Sequence, residues 1–283
     1  MSNLERVLWP ESGLTKYDLI SYLISVAPFL LPHLQNRPLV LRRFPKGIEG
    51  AGFYQKNCPQ GAPPWIETFQ VLQRDDKITN YIIAANVETL IWIGNQAAIE
   101  FHPWLSQQGT PDNPDFAVFD LDPMEKSTFD DVLEIARALH ECLAGLHIRG
   151  YPKTSGATGI QVFVPVYPLY SYEETREFVM GVCKQVNRAY PRKTTLERKI
   201  ERRGGKIYLD YLQNVWGKTL VSPYSPRPLP GAPISMPLTW DEIRKGGFVP
   251  GDFTLRDSLN TIKEKADYYA AVLTDKQFLP QIS

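Results

Sequence analysis

The sequence predicts a mixed fold, α/β or α+β, in which a sheet presents a cleft on one face. Apolar runs of strand length alternate with longer amphipathic segments in the second half, in the order strand, helix, strand, helix, strand. Polar side chains collect where these runs end. The 283 residues, 43% hydrophobic and 22% charged, suit a soluble globular protein of one large domain or two small ones.

The first half of the chain predicts helices and strands in alternation. Its elements are an amphipathic helix at 15–34, strands at 37–44 and 78–86, and a segment at 87–104 that begins helical and turns extended near Phe101. Thr15 or an upstream residue caps the first helix, and Pro28 and Pro32 are expected to close it. The Pro/Gly/Asn-rich stretch 107–115 is the best candidate boundary between two halves.

The second half supplies the predicted catalytic sheet. Its elements are a strand ending near 122, a helix at 127–146, a strand at 160–166, a helix at 171–190, a strand at 206–214 and an extended segment at 222–237. Ser127 or Thr128 caps the first of these helices. Ser171 caps the second, and Glu174 completes a capping box.

Charge is balanced overall and uneven locally. The chain has 31 basic and 31 acidic residues, so the whole molecule gives no argument for nucleic-acid or membrane binding. Two basic blocks, at 37–56 and 188–206, have the character of a phosphate-backbone contact. Charge alone favours a solvated basic surface for both blocks.

The cysteines, histidines and apolar runs exclude several classes of protein. Three scattered cysteines give no paired spacing and indicate reduced thiols in a cytoplasm. With four histidines and no cysteine–histidine spacing, a zinc site is not expected. No uninterrupted apolar run approaches the roughly 20 residues of a spanning helix, and residues 1–10 lack a signal-peptide pattern, so we expect no membrane partner.

Two carboxylates close the strand before residue 123. Asp120 and Asp122 lie on the same face of that strand, where their charges repel unless a cation sits between them. Asp210 lies on another predicted strand, between apolar residues. Three converging aspartates would suit Mg²⁺ or Mn²⁺ and two-metal phosphoryl transfer. The motif DxD alone also fits a satisfied strand end, a glycosyltransferase or a phosphohydrolase with Asp120 as nucleophile.

Two further segments carry groups that could bind phosphate. The turn KTSGATG contains Ser155, Gly156 and Thr158, whose hydroxyl and backbone donors could cradle phosphate oxygens. In isolation, the same residues are also typical of an ordinary Gly-rich connection between two strands. After Asp210, Lys218 and Arg227 could supply fixed cations for a triphosphate, or could be surface charges.

Taken in order, these segments resemble the polymerase domain of bacterial ligase D, a branch of the archaeo-eukaryotic primase superfamily. The resemblance covers nearly the whole chain and is carried by RVLWPESGLTKYDLISYL, RPLVLRRFPKGIEGAGFYQK, CPQGAPPWI, IWIGNQAAIEFHPW, FDLDP, KTSGATGIQVFVP, YLDYLQN and VSPYSPRPLPGAPISMPLTWDEI. It implies an α+β fold with a primase-type, RRM-like catalytic core packed against an N-terminal module. The implied division is 1–110 for the N-terminal module, 111–250 for the catalytic module and 251–283 for a C-terminal helical tail.

The resemblance also implies roles for individual residues. The expected metal ligands, for two Mn²⁺ or Mg²⁺ ions, are Asp120, Asp122 and Asp210. The expected contacts of the incoming NTP or dNTP are His102, Ser155, Gly156, Thr158, Gln161, Lys218 and Arg227. The expected contacts of a downstream DNA 5′-phosphate are Asn3, Arg6 and Lys16. The expected template contacts are Phe53, Tyr54 and Lys56, with Phe53 alternatively a core residue.

Two positions depart from the family pattern. Thr158 stands where most relatives have a lysine, and Gln161 stands where they have a histidine that contacts nucleotide phosphate. Gln161 keeps a hydrogen bond and carries no charge, so weaker triphosphate binding is expected. Arg6 replaces a common lysine and preserves its charge.

The resemblance implies a template-directed nucleotidyltransferase for gap filling or 3′-end extension in bacterial-type non-homologous end joining. Its expected partners are gapped or 3′-overhang DNA, nucleoside triphosphates, Ku and a DNA ligase, and ribonucleotides and Mn²⁺ are the expected preferences. The sequence contains neither a KxDG ligase motif nor a histidine-rich phosphoesterase segment, so a stand-alone polymerase or an excised domain is expected. A catalytically weak DNA-end-binding module, a de novo primase and a DxD phosphohydrolase remain alternatives.

Overall fold

The structure, a computed structural model, describes residues 1–73 and 76–281, with side chains at all of these positions except 266 and 267. The strands are β1 (Val7–Trp9), β2 (Leu14–Thr15), β3 (Leu39–Arg43), β4 (Phe53–Gln55), β5 (Thr68–Leu72), β6 (Ile78–Ile82), β7 (Ala98–Pro103), β8 (Phe116–Asp122), β9 (Tyr151–Thr154), β10 (Ile160–Pro165), β11 (Thr194–Thr195) and β12 (Ile207–Leu209). The α-helices are α1 (Lys16–Leu34), α2 (Val87–Asn95), α3 (Phe129–Gly145), α4 (Tyr172–Ala189), α5 (Trp240–Lys245) and α6 (Leu259–Thr274). Short 3₁₀ helices cover Ile200–Arg202, Tyr211–Gln213 and Pro250–Asp252.

The second half forms a five-stranded sheet in the order β11-β12-β8-β10-β9. β8 is antiparallel to both β10 and β12, and only the β11–β12 pair is parallel. One face packs on α3 and α4 through side chains such as Phe119, Leu139 and Val182. The opposite face carries Asp120 and Asp122, because alternate residues of β8 point to opposite sides of the sheet. The predicted α+β fold is confirmed.

The first half forms a second five-stranded sheet. Its strands run β4-β3-β6-β5, and β7 also pairs with β3. α1 and α2 pack together against it, through residues such as Leu23, Leu30 and Ile93. The β1–β2 hairpin leads directly into α1.

α1 continues through two prolines that were expected to close it. Thr15 caps the helix in a capping box with Asp18, as the sequence predicts, but Pro28 and Pro32 lie inside the helix. Each proline removes one backbone donor. Burial of the apolar face of the helix, including Leu30 and Leu34, outweighs that loss.

α1 is also the one helix of the described residues that is long and apolar enough to cross a membrane. Half of that window is buried inside the fold, so a core helix accounts for its composition.

The helices of the second half begin where the sequence places them. Thr128 caps α3, and Ser171 with Glu174 forms the predicted capping box of α4. The strand predicted at 206–214 is wrong in its second part. β12 ends at Leu209 because Asp210 accepts a hydrogen bond from the N–H of Leu212 at 3.0 Å and caps a 3₁₀ turn.

The segment 222–237 is extended and forms isolated bridges. Its hydrogen bonds to β7 and to β9 join the two sheets. The N–H of Ser222 donates to the carbonyl of Phe101 on β7, and the N–H of Thr154 on β9 donates to the carbonyl of Met236. α6 packs against both α1 and β10. The module boundaries near 110 and 250 stay predictions.

Candidate active site

The three aspartates singled out by the sequence lie together on the open face of the second sheet. Register places Tyr208 of β12 opposite Asp122 and Leu209 opposite Leu121. The next residue, Asp210, donates its N–H to the carbonyl of Asp120 at 2.9 Å. The antiparallel pairing of β8 with β12 therefore unites carboxylates that are 90 positions apart in the chain.

Each carboxylate accepts hydrogen bonds from neighbouring side chains. Gln161 Nε2 donates to Asp120 Oδ1 at 3.1 Å. Gln213 Nε2 donates to Asp210 Oδ2 at 2.9 Å and, more weakly, to Asp120 Oδ2 at 3.5 Å. Arg203 Nη1 lies 3.2 Å from Asp122 Oδ2.

Burial, together with neighbouring negative charge, raises the pKa of two of these groups. Burial, followed by the charges of Asp210 and Asp122, raises the pKa of Asp120 to about 7. Burial raises the pKa of Asp122, although Arg203 opposes that rise. The site therefore carries unfavourable electrostatic energy that a cation would relieve.

The donor set fits a hard divalent cation by its chemistry, since it consists of carboxylate oxygens that repel one another. Among the described residues, no group of three or more Asp, Glu, His or Cys side chains is already arranged to hold a metal ion. The Gln213 amide and the Arg203 guanidinium bind the same oxygens that a cation would use.

A cleft of about 610 Å³ opens beside the aspartates. It brings together predicted nucleotide contacts and predicted template contacts, together with Gln213, which comes from the 3₁₀ turn after Asp210. The predicted residues in its lining are Tyr54, Lys56, His102, Gln161, Lys218 and Arg227. Its volume and its polar groups suit a nucleotide.

The predicted phosphate turn joins β9 to β10. The Oγ of Ser155 accepts the N–H groups of Ala157 at 3.2 Å and Gly159 at 3.0 Å, so these two donors serve the turn itself. Gly156 has a positive φ of 72°, and a Cβ there would lie 2.7 Å from Cγ of Arg227. Thr158 is exposed on the turn. The close approach at Gly156 places Arg227 against the turn.

Sequence reasoning missed two ionisable residues behind the cleft. Glu100 and Lys153 are each completely buried. Lys153 Nζ donates to the Oε1 of Gln161 and to the Oγ of Ser235, both at 2.6 Å. The available signal for Glu100 was a carboxylate inside the apolar run AAIEF, where an unpaired charge is costly.

The predicted 5′-phosphate contacts lie together at the β1–β2 hairpin. The N–H of Arg6 donates to the carbonyl of Asn3 at 3.2 Å, and the N–H of Lys16 donates to the carbonyl of Arg6 at 2.8 Å. The Lys16 ammonium is nearly buried and donates to the Ser2 carbonyl at 2.8 Å. Burial and then the charge of Arg6 lower the pKa of Lys16. Two neighbouring cations, one of them desolvated, favour an anion at this point.

The predicted template aromatics are exposed. Phe53 and Tyr54 on β4 are 46% and 59% exposed, so Phe53 is not a core residue. The Arg43 guanidinium lies 5.3 Å from the Phe53 ring, and the Tyr54 ring meets His102 edge-on at 5.8 Å. Exposed rings beside cations are suited to stacking with nucleic-acid bases.

Comparisons with known proteins agree with one another. The family model described as "LigD, primase-polymerase domain" matches residues 15–269. The bifunctional non-homologous end joining protein LigD of Bacillus subtilis (strain 168) is 35% identical over 274 residues, which cover 95% of this chain and 44% of that protein. The multifunctional non-homologous end joining protein LigD of Mycolicibacterium smegmatis is 33% identical over 245 residues, covering 86% of this chain and 32% of that protein.

A solved structure is similar over its full length. It is the polymerase domain from Mycobacterium tuberculosis ligase D in complex with DNA, with a TM-score of 0.90, 29% identity and coverage of 98% of both chains. The chain thus spans less than half the length of the curated relatives above and nearly all of the solved domain.

Proposed function

We propose that this chain, which belongs to the family of LigD primase-polymerase domains, is a template-directed polymerase that fills gaps and extends 3′ ends in bacterial non-homologous end joining. The family is one of nucleotidyltransferases that need divalent metal ions. The observation that carries the proposal is the meeting of Asp120, Asp122 and Asp210 beside a cleft lined by His102, Lys218 and Arg227.

The three aspartates would hold the metal, for which we propose two Mn²⁺ or Mg²⁺ ions. When bound, these ions would activate the attacking 3′-hydroxyl and stabilise the leaving pyrophosphate. The chain's own contribution is to hold three carboxylates on adjacent strand ends, where their repulsion favours cation binding.

The nucleotide would lie in the cleft, with its triphosphate toward Lys218, Arg227 and the Ser155 turn. Arginine binds phosphate in a bidentate manner, and lysine acts as a point charge. Gln161 contributes only donors there, because Lys153 engages its Oε1. We infer that the Gln161 amide offers the phosphate a hydrogen bond where the family pattern has a histidine that can carry a charge. Triphosphate binding should therefore be weaker than with a histidine at this position.

DNA would be held by the N-terminal module. Asn3, Arg6 and Lys16 would bind the 5′-phosphate of the downstream strand, and Phe53, Tyr54 and Lys56 would contact the template. The solved relative binds DNA, which supports this assignment. Ku and a DNA ligase are the proposed partners, and the bacterial cytoplasm is the proposed compartment.

Templated gap filling is tested by primer extension on a duplex with a single-nucleotide gap and a downstream 5′-phosphate. We expect incorporation to follow the template base when each of the four bases is placed in the gap in turn. Incorporation that ignores the template base, or synthesis that is equally fast without a primer, would contradict the proposal. The second outcome would favour a de novo primase.

A further inference from the structure

Glu100 is a buried, ionised carboxylate at the junction of the two sheets. It lies on β7 with no exposed surface. Burial would raise the pKa of Glu100, but the hydrogen bond from His102 and the charges of Arg227 and Arg42 hold it at about 2. The group is therefore negative at every pH at which the protein works.

Three cationic or hydrogen-bonding side chains converge on this carboxylate. Arg227 Nε donates to Oε1 at 2.6 Å, while Oε2 lies 3.3 Å from Arg42 Nη1 and 3.2 Å from His102 Nε2. Arg42 is the cross-strand neighbour of Glu100 on β3. A carboxylate buried without such partners would strongly destabilise the fold. The folded protein therefore keeps these three contacts with Glu100.

Arg227 is held from both sides of the cleft. Its Nε binds Glu100 of the first sheet, and its Nη1 donates to the carbonyl of Ser155 in the β9–β10 turn of the second. The main chain of the same segment is tied to β7, since Ser225 Oγ accepts the N–H of Phe101 at 3.0 Å. The Glu100 carboxylate and the Ser155 carbonyl therefore fix the orientation of the Arg227 guanidinium together.

His102 is oriented by the same carboxylate. Because ionised Glu100 can only accept, the proton of neutral His102 resides on Nε2. Burial lowers the pKa of His102, although Glu100 opposes this effect, and the ring stays in the cleft wall against Tyr54.

We propose that Glu100 is a positioning residue for nucleotide binding, which holds Arg227 and His102 at the triphosphate end of the cleft. This inference rests on the proposed function. It adds a residue that touches no substrate and that acts through its two neighbours.

The test is Glu100→Gln, which keeps the shape and removes the charge. We expect KM for the incoming NTP to rise at least tenfold, with kcat within about threefold, because the reacting groups are unaltered. The Kd for gapped DNA with a 5′-phosphate should stay unchanged. If Glu100 acts through Arg227, the double variant E100Q/R227Q should bind NTP no more weakly than R227Q alone.

Asp115→Asn is the matched control for loss of a buried ion pair. Asp115 is as buried as Glu100 and pairs with Arg37 at 2.6 Å, but it does not line the cleft. Its substitution should lower thermal stability as E100Q does and leave the NTP KM within twofold. An E100Q protein that is folded and has wild-type KM would overturn the inference, as would an equal rise of KM in D115N.

Equilibrium NTP binding separates this inference from the proposed function. Binding of an NTP in the presence of Mn²⁺ can be measured by calorimetry without primer or template. If E100Q weakens this binding tenfold while the wild type extends no primer, the positioning role stands and the polymerase proposal fails. Equal binding by E100Q and wild type overturns the positioning role whatever the extension assay shows.

Discussion

Gln161 is fixed between the amino group of Lys153 and the carboxylate of Asp120. Its Oε1 accepts from the buried Lys153 at 2.6 Å, and its Nε2 donates to Asp120 at 3.1 Å. The orientation of the amide is therefore determined by both neighbours. It can donate to an incoming phosphate but adds no charge, so the positive charge available for a triphosphate comes from elsewhere.

Thr158→Lys should add a cation to the turn that we propose to contact the triphosphate. Thr158 is exposed on the β9–β10 turn, so a lysine there would be accommodated without repacking. A charge-assisted hydrogen bond contributes roughly 1.5 kcal/mol or more, so we expect KM for NTP to fall about tenfold. Steady-state extension at varied NTP concentration measures the change.

Thr158→Gln serves as the uncharged control for that variant. It should leave KM close to wild type, and raising the salt concentration should erase most of the gain in T158K. An unchanged KM in T158K would show that the β9–β10 turn does not contact the triphosphate.

His33, which does not line the cleft, makes stability depend on pH. It lies in the last turn of α1 between the rings of Tyr224 and Tyr269, at 5.9 and 5.7 Å. Burial, followed by the charges of Arg37 and Lys153, lowers its pKa to about 3. The unfolded chain, with an ordinary histidine pKa near 6.5, binds a proton that the folded chain does not, so acid favours unfolding.

His33→Phe should remove this pH dependence. Between pH 7 and pH 5, wild type should lose about 2 kcal/mol of unfolding free energy relative to the variant. Urea unfolding of both proteins at each pH gives the difference, in which the other titrating groups cancel. A difference that is independent of pH would show that His33 titrates normally in the folded protein.

Among the helices and strands, the features that depend on a few neighbouring residues were predicted correctly from the sequence. The capping residues Thr15, Thr128 and Ser171 sit where the sequence predicts, because a cap needs only the residues of one turn. The strands β1, β2, β4, β5, β9 and β11 were missed. They have two to five residues each, and tertiary pairing rather than an apolar period defines them.

The β1–β2 hairpin and the first turn of α1 form the proposed 5′-phosphate site. Lys16→Gln should abolish the preference for 5′-phosphorylated over 5′-hydroxyl gapped DNA, because it removes the desolvated cation of the site. We expect the ratio of the two Kd values to fall from about tenfold or more to near one. Fluorescence anisotropy at fixed salt measures both constants.

Arg176→Gln is the control, since Arg176 lies on α4 in an ion pair with Glu173. It should keep the wild-type ratio. A Lys16→Gln protein that still discriminates fully between the two DNA ends would place the 5′-phosphate elsewhere.

At the scale of the whole molecule, the sequence named the aspartates but could not show their convergence. Asp120 and Asp210 meet only because β12 pairs with β8, a long-range contact that no local pattern encodes. Glu100 and Lys153 went unnoticed for the same reason. Glu100 contacts Arg227 and Lys153 contacts Gln161, and these partners lie on other segments of the chain. The resemblance to a family predicted that the three aspartates act together, which local patterns could not.

The two sheets meet at one cleft, and we propose that the three aspartates beside it hold the metal ions for templated nucleotide addition. The most direct measurement is single-turnover primer extension on gapped DNA with a 5′-phosphate, using Mn²⁺ and NTP. It compares wild type with Asp120→Asn, Asp122→Asn and Asp210→Asn, and with Asp241→Asn as an exposed control. We expect losses of at least about a thousandfold in the three site variants, with DNA binding retained and the control unaffected. Extension at wild-type rates by any of the three would contradict the proposal.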